Sequence, residues 1–161
     1  MAAIGGTDAT VRLLVYRAGA KLCGLPLEQL LESMRPLPTE PLAGLPDFVL
    51  GLALIRGRPT PVLDGRRLVG SPSEQAPERY LTLELGAATK RIVALAVDAV
   101  VGVRALPRAL FGDLPSLLRT PIGDVVRAVA PLDADLVLLL ERTRLVSEDL
   151  WQRLEQERAS A

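Results

Sequence analysis

Short runs of apolar residues, separated by turn-forming residues, dominate the chain. Val11–Tyr16 and Lys21–Leu25 flank the break Ala18-Gly19-Ala20, an arrangement that predicts two strands joined as a hairpin. Thirteen glycines and thirteen prolines punctuate the remaining runs, most of which are too short for helices of ordinary length. The pattern therefore predicts a mostly β protein that opens with a meander.

The segments that follow have less regular patterns. Leu27–Met34 places leucine and methionine at helical spacing, although a bent strand fits the same residues. Four prolines between Arg35 and Pro46 exclude a regular helix and predict an extended surface loop. Pro46–Gly51 is predicted to form one short helical turn that ends at the glycine.

Arg58–Asp64 contains two prolines, Pro59 and Pro61. In an extended strand, residues two apart direct their backbone amides to the same side, and a proline has no amide hydrogen to donate. We therefore expect a strand that pairs along its whole length on one side only.

The polar, proline-containing link Ser71–Glu78 predicts a boundary between two lobes. Five later runs predict the strands of a second small barrel: Tyr80–Leu85, Arg91–Val97, Ala99–Leu106, Gly123–Ala130 and Asp135–Leu140.

The tail has the pattern of an amphipathic helix. Ser147 is a favourable N-cap residue, and two acidic residues follow it in the first turn. Leu150 and Leu154 share one face. We predict a closing helix from about Glu148 to Arg158, with Trp151 packed on a barrel.

Composition and charge exclude several functional classes. Nineteen lysines and arginines balance nineteen aspartates and glutamates, so no long-range field attracts nucleic acid or anionic lipid. No apolar run approaches the roughly 20 residues of a spanning helix. The single cysteine, Cys23, lies among apolar residues and is predicted to be a buried thiol in a reducing compartment. Because the start of the chain lacks the pattern of a signal peptide, we expect a cytoplasmic protein.

The candidate chemistry is sparse. The chain has no histidine, which removes the commonest general base and metal ligand, and no glycine-rich phosphate loop. Neighbouring carboxylates, such as Asp133 with Asp135, are interpreted as turn-forming residues. We expect no catalytic, cofactor-binding or metal site. An enzyme would have to rely on carboxylate, lysine or tyrosine chemistry.

The segment from Phe48 to Asp64 reads FVLGLALIRGRPTPVLD. It resembles the signature of CheW-like domains, in which an apolar stretch with glycine leads to N-L-R-G and then to V-x-P-V-x-D-L. Two further stretches are similar to family elements: Leu25-Pro26-Leu27 with Leu31-Glu32, and Leu95–Val100. The likeness runs from about Val11 to about Val146.

The resemblance implies a fold of two small five-stranded SH3-like barrels that share a core, with short helical turns and a C-terminal helix. We expect a single CheW-like domain over residues 1–161. Lobe 1 would cover about residues 11–70, with a return of the C-terminal segment allowed, and lobe 2 about residues 79–140.

The resemblance also implies a function. CheW-like adaptors are non-enzymatic scaffolds that couple the cytoplasmic tips of methyl-accepting chemoreceptors to a CheA-type histidine kinase in signalling arrays at the inner face of the membrane. A groove between the lobes receives the receptor hairpin, and the lobe ends bind the regulatory domain of the kinase. Other CheW-like proteins are further candidate partners.

By resemblance, Arg56 and Gly57 occupy the R-G positions of the signature. We expect Arg56, with Leu31, Glu32 and Val49, to line or border the receptor groove. Gly57 also has a simpler role as a residue with positive φ. Structural roles are assigned to four further motif residues, Gly51, Pro61, Asp64 and Asp98, the two aspartates as turn-closing residues.

Two positions depart from the family pattern. Leu54 stands where asparagine is usual, and Gly65 stands where leucine usually follows the aspartate. These departures allow an alternative function: a specialised module that binds one partner only, and that regulates or competes with another adaptor in a motility, pilus or gene-expression pathway.

Overall fold

A computed structural model describes residues 9–86, 91–114 and 125–160 of the chain. The strands are β1 (Thr10–Ala18), β2 (Lys21–Pro26), β3 (Leu30–Met34), β4 (Thr39–Glu40), β5 (Val49–Ile55), β6 (Arg58–Asp64), β7 (Arg79–Leu85), β8 (Arg91–Val97), β9 (Ala99–Pro107), β10 (Val126–Leu132) and β11 (Asp135–Leu140). The helices are α1 (Gly65–Leu68) and α2 (Glu148–Ser160), and single 3-10 turns cover Leu27–Gln29, Arg108–Leu110 and Arg142–Arg144. The first two residues of the predicted run Gly123–Ala130 lie outside the described residues.

The strands form two sheets, which confirms the predicted mostly β class. One has five strands in the order β10-β11-β2-β1-β9, and the other has six in the order β3-β7-β8-β6-β5-β4. The sixth strand was not predicted. It arises inside the proline-rich loop, where Thr39 and Glu40 pair with Ala53 and Leu52 of β5.

The predicted division of the sheets at Ser71–Glu78 is wrong. β7 and β8 follow this link, yet they join the six-stranded sheet, because β8 lies parallel to β6. A parallel pair needs a crossover connection, and α1, the link and β7 provide it. β9 then runs antiparallel to β1 and carries the rest of the chain to the five-stranded sheet.

Both faces of several strands are buried. On β1, Leu13 and Val15 pack inside the five-stranded sheet, while Leu14 and Tyr16 enter a core shared with the six-stranded sheet. A third cluster fills the inside of the six-stranded sheet: Ala53, Ile55, Val62, Tyr80, Ala94 and Ala96. Burial of both faces explains why β1 alternates only partly in sequence.

The prediction for β6 is confirmed. β6 pairs with β5 from Arg58 to Leu63, but with β8 only from Val62 onward, after both prolines. The pairing with β8 begins only after Pro61, so the amide hydrogen that Pro61 lacks is not needed for a hydrogen bond to β8.

The two alternatives predicted for Leu27–Met34 each hold for part of the segment, since a 3-10 turn at Leu27–Gln29 leads into the strand β3.

The helical turn predicted for Pro46–Gly51 is wrong. One bond, from Val49 N–H to the Pro46 carbonyl (3.0 Å), closes a turn, and β5 begins at Val49. Gly51 lies inside β5 with φ 143°, where a Cβ atom would lie 2.0 Å from the Glu40 carbonyl oxygen. The close approach of β4 therefore requires glycine.

The closing helix is confirmed as α2. The Ser147 hydroxyl accepts the Leu150 N–H at 3.2 Å, as an N-cap should. Trp151 is buried in the shared core, and its ring lies 5.1 Å from the Arg91 guanidinium. Arg91 also donates two hydrogen bonds to Glu148, at 2.8 and 2.9 Å. These contacts fix the first turns of α2 to β8.

A buried arginine links the two sheets. Arg66 Nε donates to Asp64 Oδ1 at 3.0 Å, and Arg66 Nη1 donates to the Gln75 carbonyl and lies 3.4 Å from Asp98 Oδ1. Asp98 Oδ2 in turn accepts the Gly19 N–H, at 2.6 Å, from the turn between β1 and β2. We call Gly19, Asp64, Arg66 and Asp98 the Arg66 clamp. Asp64 also accepts the Arg66 N–H as the N-cap of α1, and Asp98 holds the distant β1–β2 turn, so both aspartates partner a buried cation and a backbone amide.

The Arg66→Met substitution tests the clamp. We expect it to lower the free energy of unfolding by about 3 kcal/mol or more, because the buried Asp64 carboxylate loses its main partner. Urea unfolding followed by circular dichroism measures the change. The matched control is Arg12→Met, since the Arg12 side chain is exposed on β1 and should contribute less than about 1 kcal/mol. Equal losses in the two variants would contradict a specific role for the clamp.

Candidate functional site

The turn between β5 and β6 consists of Arg56 and Gly57, because Ile55 and Arg58 form the last strand pair. Both turn residues have positive φ, 50° for Arg56 and 77° for Gly57. Two-residue hairpin turns of this kind favour asparagine followed by glycine. Gly57 thus has the positive φ expected of it, whereas Arg56 adopts a conformation that disfavours its own side chain.

Arg56 pairs with Glu32 of β3. Arg56 Nε donates to Glu32 Oε2 at 2.7 Å, and Arg56 Nη2 donates to Glu32 Oε1 at 3.0 Å. This two-pronged contact fixes the orientation of both planar groups. The Arg56 side chain is 77% exposed, so the pair orients side chains at the surface and adds little to stability.

A β-bulge places Leu31 beside this pair. Leu30 lies opposite Leu83, and Glu32 lies opposite Thr82, so Leu31 is the extra residue on β3. A bulge redirects side chains, and Leu31 is 48% exposed. The Glu32 N–H donates to the Thr82 hydroxyl at 3.1 Å, which holds β3 in register after the bulge.

These side chains open onto a surface groove. The predicted residues Leu31, Glu32 and Arg56 all line it. Its apolar residues are Leu31, Ile55, Pro59 and Ile92, and its other lining residues are Arg58, Thr60, Thr82 and Arg158. The groove therefore combines apolar side chains and two buried threonines with one carboxylate and three arginines. Arg158 belongs to α2, so the closing helix forms part of the wall.

Val49 does not line the groove. It is 7% exposed and packs in the shared core with Leu63, its partner on β6. The register shifts between Val49 and Gly51, so the extra residue of the bulge is Leu50, and Val49 faces inward. The structure brings three of the predicted groove residues together and places Gly57 in the adjacent turn.

Arg58, Ile92 and Arg158 line the groove although their sequence positions did not predict it. Arg58 directly follows the R-G positions, so its proximity was visible in the sequence. Ile92 and Arg158 reach the groove only through the packing of β8 and α2, which no local pattern reveals.

Within the described ranges, no group of three or more acidic or cysteine residues is arranged to hold a metal ion. Burial raises the pKa of the Cys23 thiol to about 12, so it stays protonated and unreactive at neutral pH. No helix in the described part of the chain is long and apolar enough to cross a membrane.

Comparisons with known proteins agree with this architecture. The sequence pattern of the family described as "CheW-like domain" matches residues 12–150. Protein FrzA of Myxococcus xanthus is 30% identical over 108 residues, which are 67% of this chain and 63% of that protein. This match thus spans slightly less than two thirds of the relative's length.

A solved structure has the same fold. The crystal structure of the scaffolding protein TtCheW from Thermoanaerobacter tengcongensis superposes with a TM-score of 0.70 at 20% sequence identity. The superposition covers 81% of this chain and 88% of that one. The predicted CheW-like fold is therefore confirmed, with six strands in one sheet rather than five.

The Arg56–Glu32 pair should change the pH at which the Glu32 carboxyl titrates. Hydrogen bonds from Arg56 hold the pKa of the Glu32 carboxyl below its ordinary value of 4.5. The contribution of the pair to stability is therefore present above that value and is lost as the pH falls through the lowered pKa. We expect Arg56→Gln to raise the pKa of Glu32 towards its ordinary value.

Carbon-13 NMR of the side-chain carboxyls measures this change. Glu148 is the internal control, because hydrogen bonds from Arg91 lower its pKa in the same way. Its titration should be the same in both proteins. If Glu32 also titrates identically with and without Arg56, the pair does not form in solution.

Proposed function

The chain belongs to the CheW-like domain family, and from this membership we propose that it couples chemoreceptor cytoplasmic tips to a CheA-type histidine kinase. Proteins of this family are non-enzymatic scaffolds of chemotaxis-type signalling. The proposal places the chain in the cytoplasm, in receptor clusters at the inner face of the membrane. The receptor hairpin would bind in the groove, and the regulatory domain of the kinase would bind a separate face.

The observation that carries the proposal is the juxtaposition of Leu31 with the Arg56–Glu32 pair at the groove. An amphipathic helix docks by placing apolar side chains in a groove, while polar contacts at the rim fix its register. Leu31 and Ile55 offer apolar contacts. The Arg56 guanidinium is mostly exposed and still has donor capacity beyond its two bonds to Glu32.

The backbone of Arg56 supports the same assignment. A positive φ is energetically unfavourable for arginine, and asparagine would suit this turn better. Unfavourable backbone conformations concentrate at sites where function requires the side chain. The position of Arg56 is thus better explained by partner binding than by the stability of the hairpin.

Candidate contacts for the kinase domain lie away from the groove. Exposed apolar side chains lie on the five-stranded sheet, at Val101, Val103 and Leu136, and none of them lines the groove. An adaptor needs two separate faces because both partners must be bound at the same time.

One observation favours the alternative of a specialised module with a single partner. Leu54 is 66% exposed, on the opposite face of β5 from Ala53 and Ile55, where CheW-like domains usually have asparagine. An exposed leucine changes the chemistry of that surface from polar to apolar. If a partner contacts this surface in relatives, the substitution would alter that contact.

The Arg56→Asn variant tests the proposal. We expect binding of a soluble receptor cytoplasmic hairpin to weaken at least about tenfold, because the guanidinium is lost from the rim. Binding of the kinase regulatory domain should stay within about twofold of wild type, since it uses another face. The urea midpoint should equal or exceed that of wild type, because asparagine suits the turn. Calorimetric titration and urea unfolding measure these quantities.

The control is Arg12→Asn, which removes an exposed arginine from β1 on the other sheet and should leave hairpin binding unchanged. Full hairpin affinity in Arg56→Asn would show that the groove is not the receptor site. If the folded wild-type protein binds neither partner, the coupling function is wrong. If it binds one partner only, the specialised module is the better description.

A further inference from the structure

The groove contains more positively charged side chains than its single carboxylate can neutralise. Three arginines line it, Arg56, Arg58 and Arg158, against one carboxylate, Glu32. Arg56 is engaged with Glu32. Among the residues that the structure describes, neither Arg58 nor Arg158 has a carboxylate within ion-pair distance. Within the described part of the chain, the groove therefore has two arginines that form no ion pair.

This surplus is local. The whole chain has equal numbers of acidic and basic residues. Elsewhere on the surface, four arginines have acidic partners, in the pairs Arg17–Asp135, Arg67–Asp47, Arg91–Glu148 and Arg127–Glu141. Others, such as Arg79 and Arg153, donate to a hydroxyl or a backbone carbonyl instead. Arginines without an ion-pair partner beside the apolar side chains of the groove favour a ligand that brings its own carboxylates, since arginine binds carboxylates through two parallel hydrogen bonds.

The two arginines come from different elements of the fold. Arg58 opens β6 beside the Arg56-Gly57 turn, and Arg158 lies near the end of α2. A second, shallower depression, lined by Pro59, Glu155, Arg158 and Ala159, continues the groove along α2. The groove thus continues from the hairpin to the helix, where Glu155 and Arg158 both border it.

The position of α2 is fixed by the fold. Its first turn is tied to β8 through Arg91 and Glu148, and Trp151 is buried. Arg153 donates to the carbonyl of Gly44, which lies in the loop between β4 and β5. Arg158 lies ten residues after Glu148, which is roughly 15 Å along a helix. The helix therefore holds Arg158 at the rim as part of a preformed surface.

We propose that Arg58 and Arg158 determine partner specificity by binding carboxylates that flank the apolar stripe of an amphipathic helix seated in the groove. This inference rests on the proposed function and deepens it, because it gives the receptor helix an acidic flank. It also makes α2 part of the recognition surface.

The test uses the full chain and three charge-reversal variants. Arg58→Glu and Arg158→Glu change the rim, and Arg12→Glu makes the same charge change on the other sheet as the matched control. The probes are a soluble receptor cytoplasmic hairpin and two designed helical peptides with the same leucine stripe, one flanked by glutamates and the other by lysines. Calorimetry gives the affinities at low and high salt, and methyl NMR of Leu31, Ile55 and Ile92 locates the binding.

We expect the wild-type protein to bind the glutamate-flanked peptide at least about tenfold more tightly than the lysine-flanked one, with less discrimination at high salt. Arg58→Glu and Arg158→Glu should each weaken acidic-peptide binding by about tenfold, whereas Arg12→Glu should leave it within about twofold. The methyl signals should shift with the acidic peptide.

Equal binding of the two peptides, or equal effects of all three variants, would overturn the inference. The receptor hairpin separates this inference from the proposed function. If the acidic peptide binds in the groove and the hairpin does not bind, the charge preference stands and the receptor assignment fails. If the hairpin binds and neither rim variant weakens it, the receptor assignment stands and the charge preference fails.

Discussion

The fold depends on one buried cation. Arg66 lies between Asp64, which ends β6 in one sheet, and Asp98, which holds the β1–β2 turn of the other. A buried charge is tolerated only where its partners are fixed, so the clamp restricts how the two sheets pack. β6 runs from the clamp to the Arg56-Gly57 turn, over roughly 20 Å of strand, and pairs with β5 and β8. The groove is thus built on the strand that the clamp holds.

The groove shows how weak surface interactions can serve function. The exposed Arg56–Glu32 pair contributes little to stability, but it fixes the two side chains beside Leu31, which a bulge turns outward. The helix α2 adds Arg158 to the same rim. Stability comes from the shared core and the clamp, whereas the groove retains exposed leucine, arginines that form no ion pair within the described residues, and a disfavoured backbone. Such features are expected where a partner completes the surface.

Local patterns predicted most of the elements but few of their pairings. Arg91–Val97 and Asp135–Leu140 are strands with the predicted ends, because turn residues bound each run. The lobes could not be assigned by order along the chain, since the parallel pair β6–β8 and the pair β1–β9 join distant segments. The signature motif identified Arg56 as a site residue, and the separate family element Leu31-Glu32 identified Glu32. It could not show that a bulge buries Val49, or that α2 carries Arg158 to the groove.

The central claim is that one chain holds a receptor and a kinase together through separate faces. Sedimentation velocity of the receptor hairpin, the kinase regulatory domain and this protein, mixed in equal amounts, tests it most directly. The account predicts a species that contains all three, and no hairpin–kinase complex of that size when this protein is omitted. If the hairpin displaces the kinase domain from this protein, the two faces overlap and the chain cannot be the proposed scaffold.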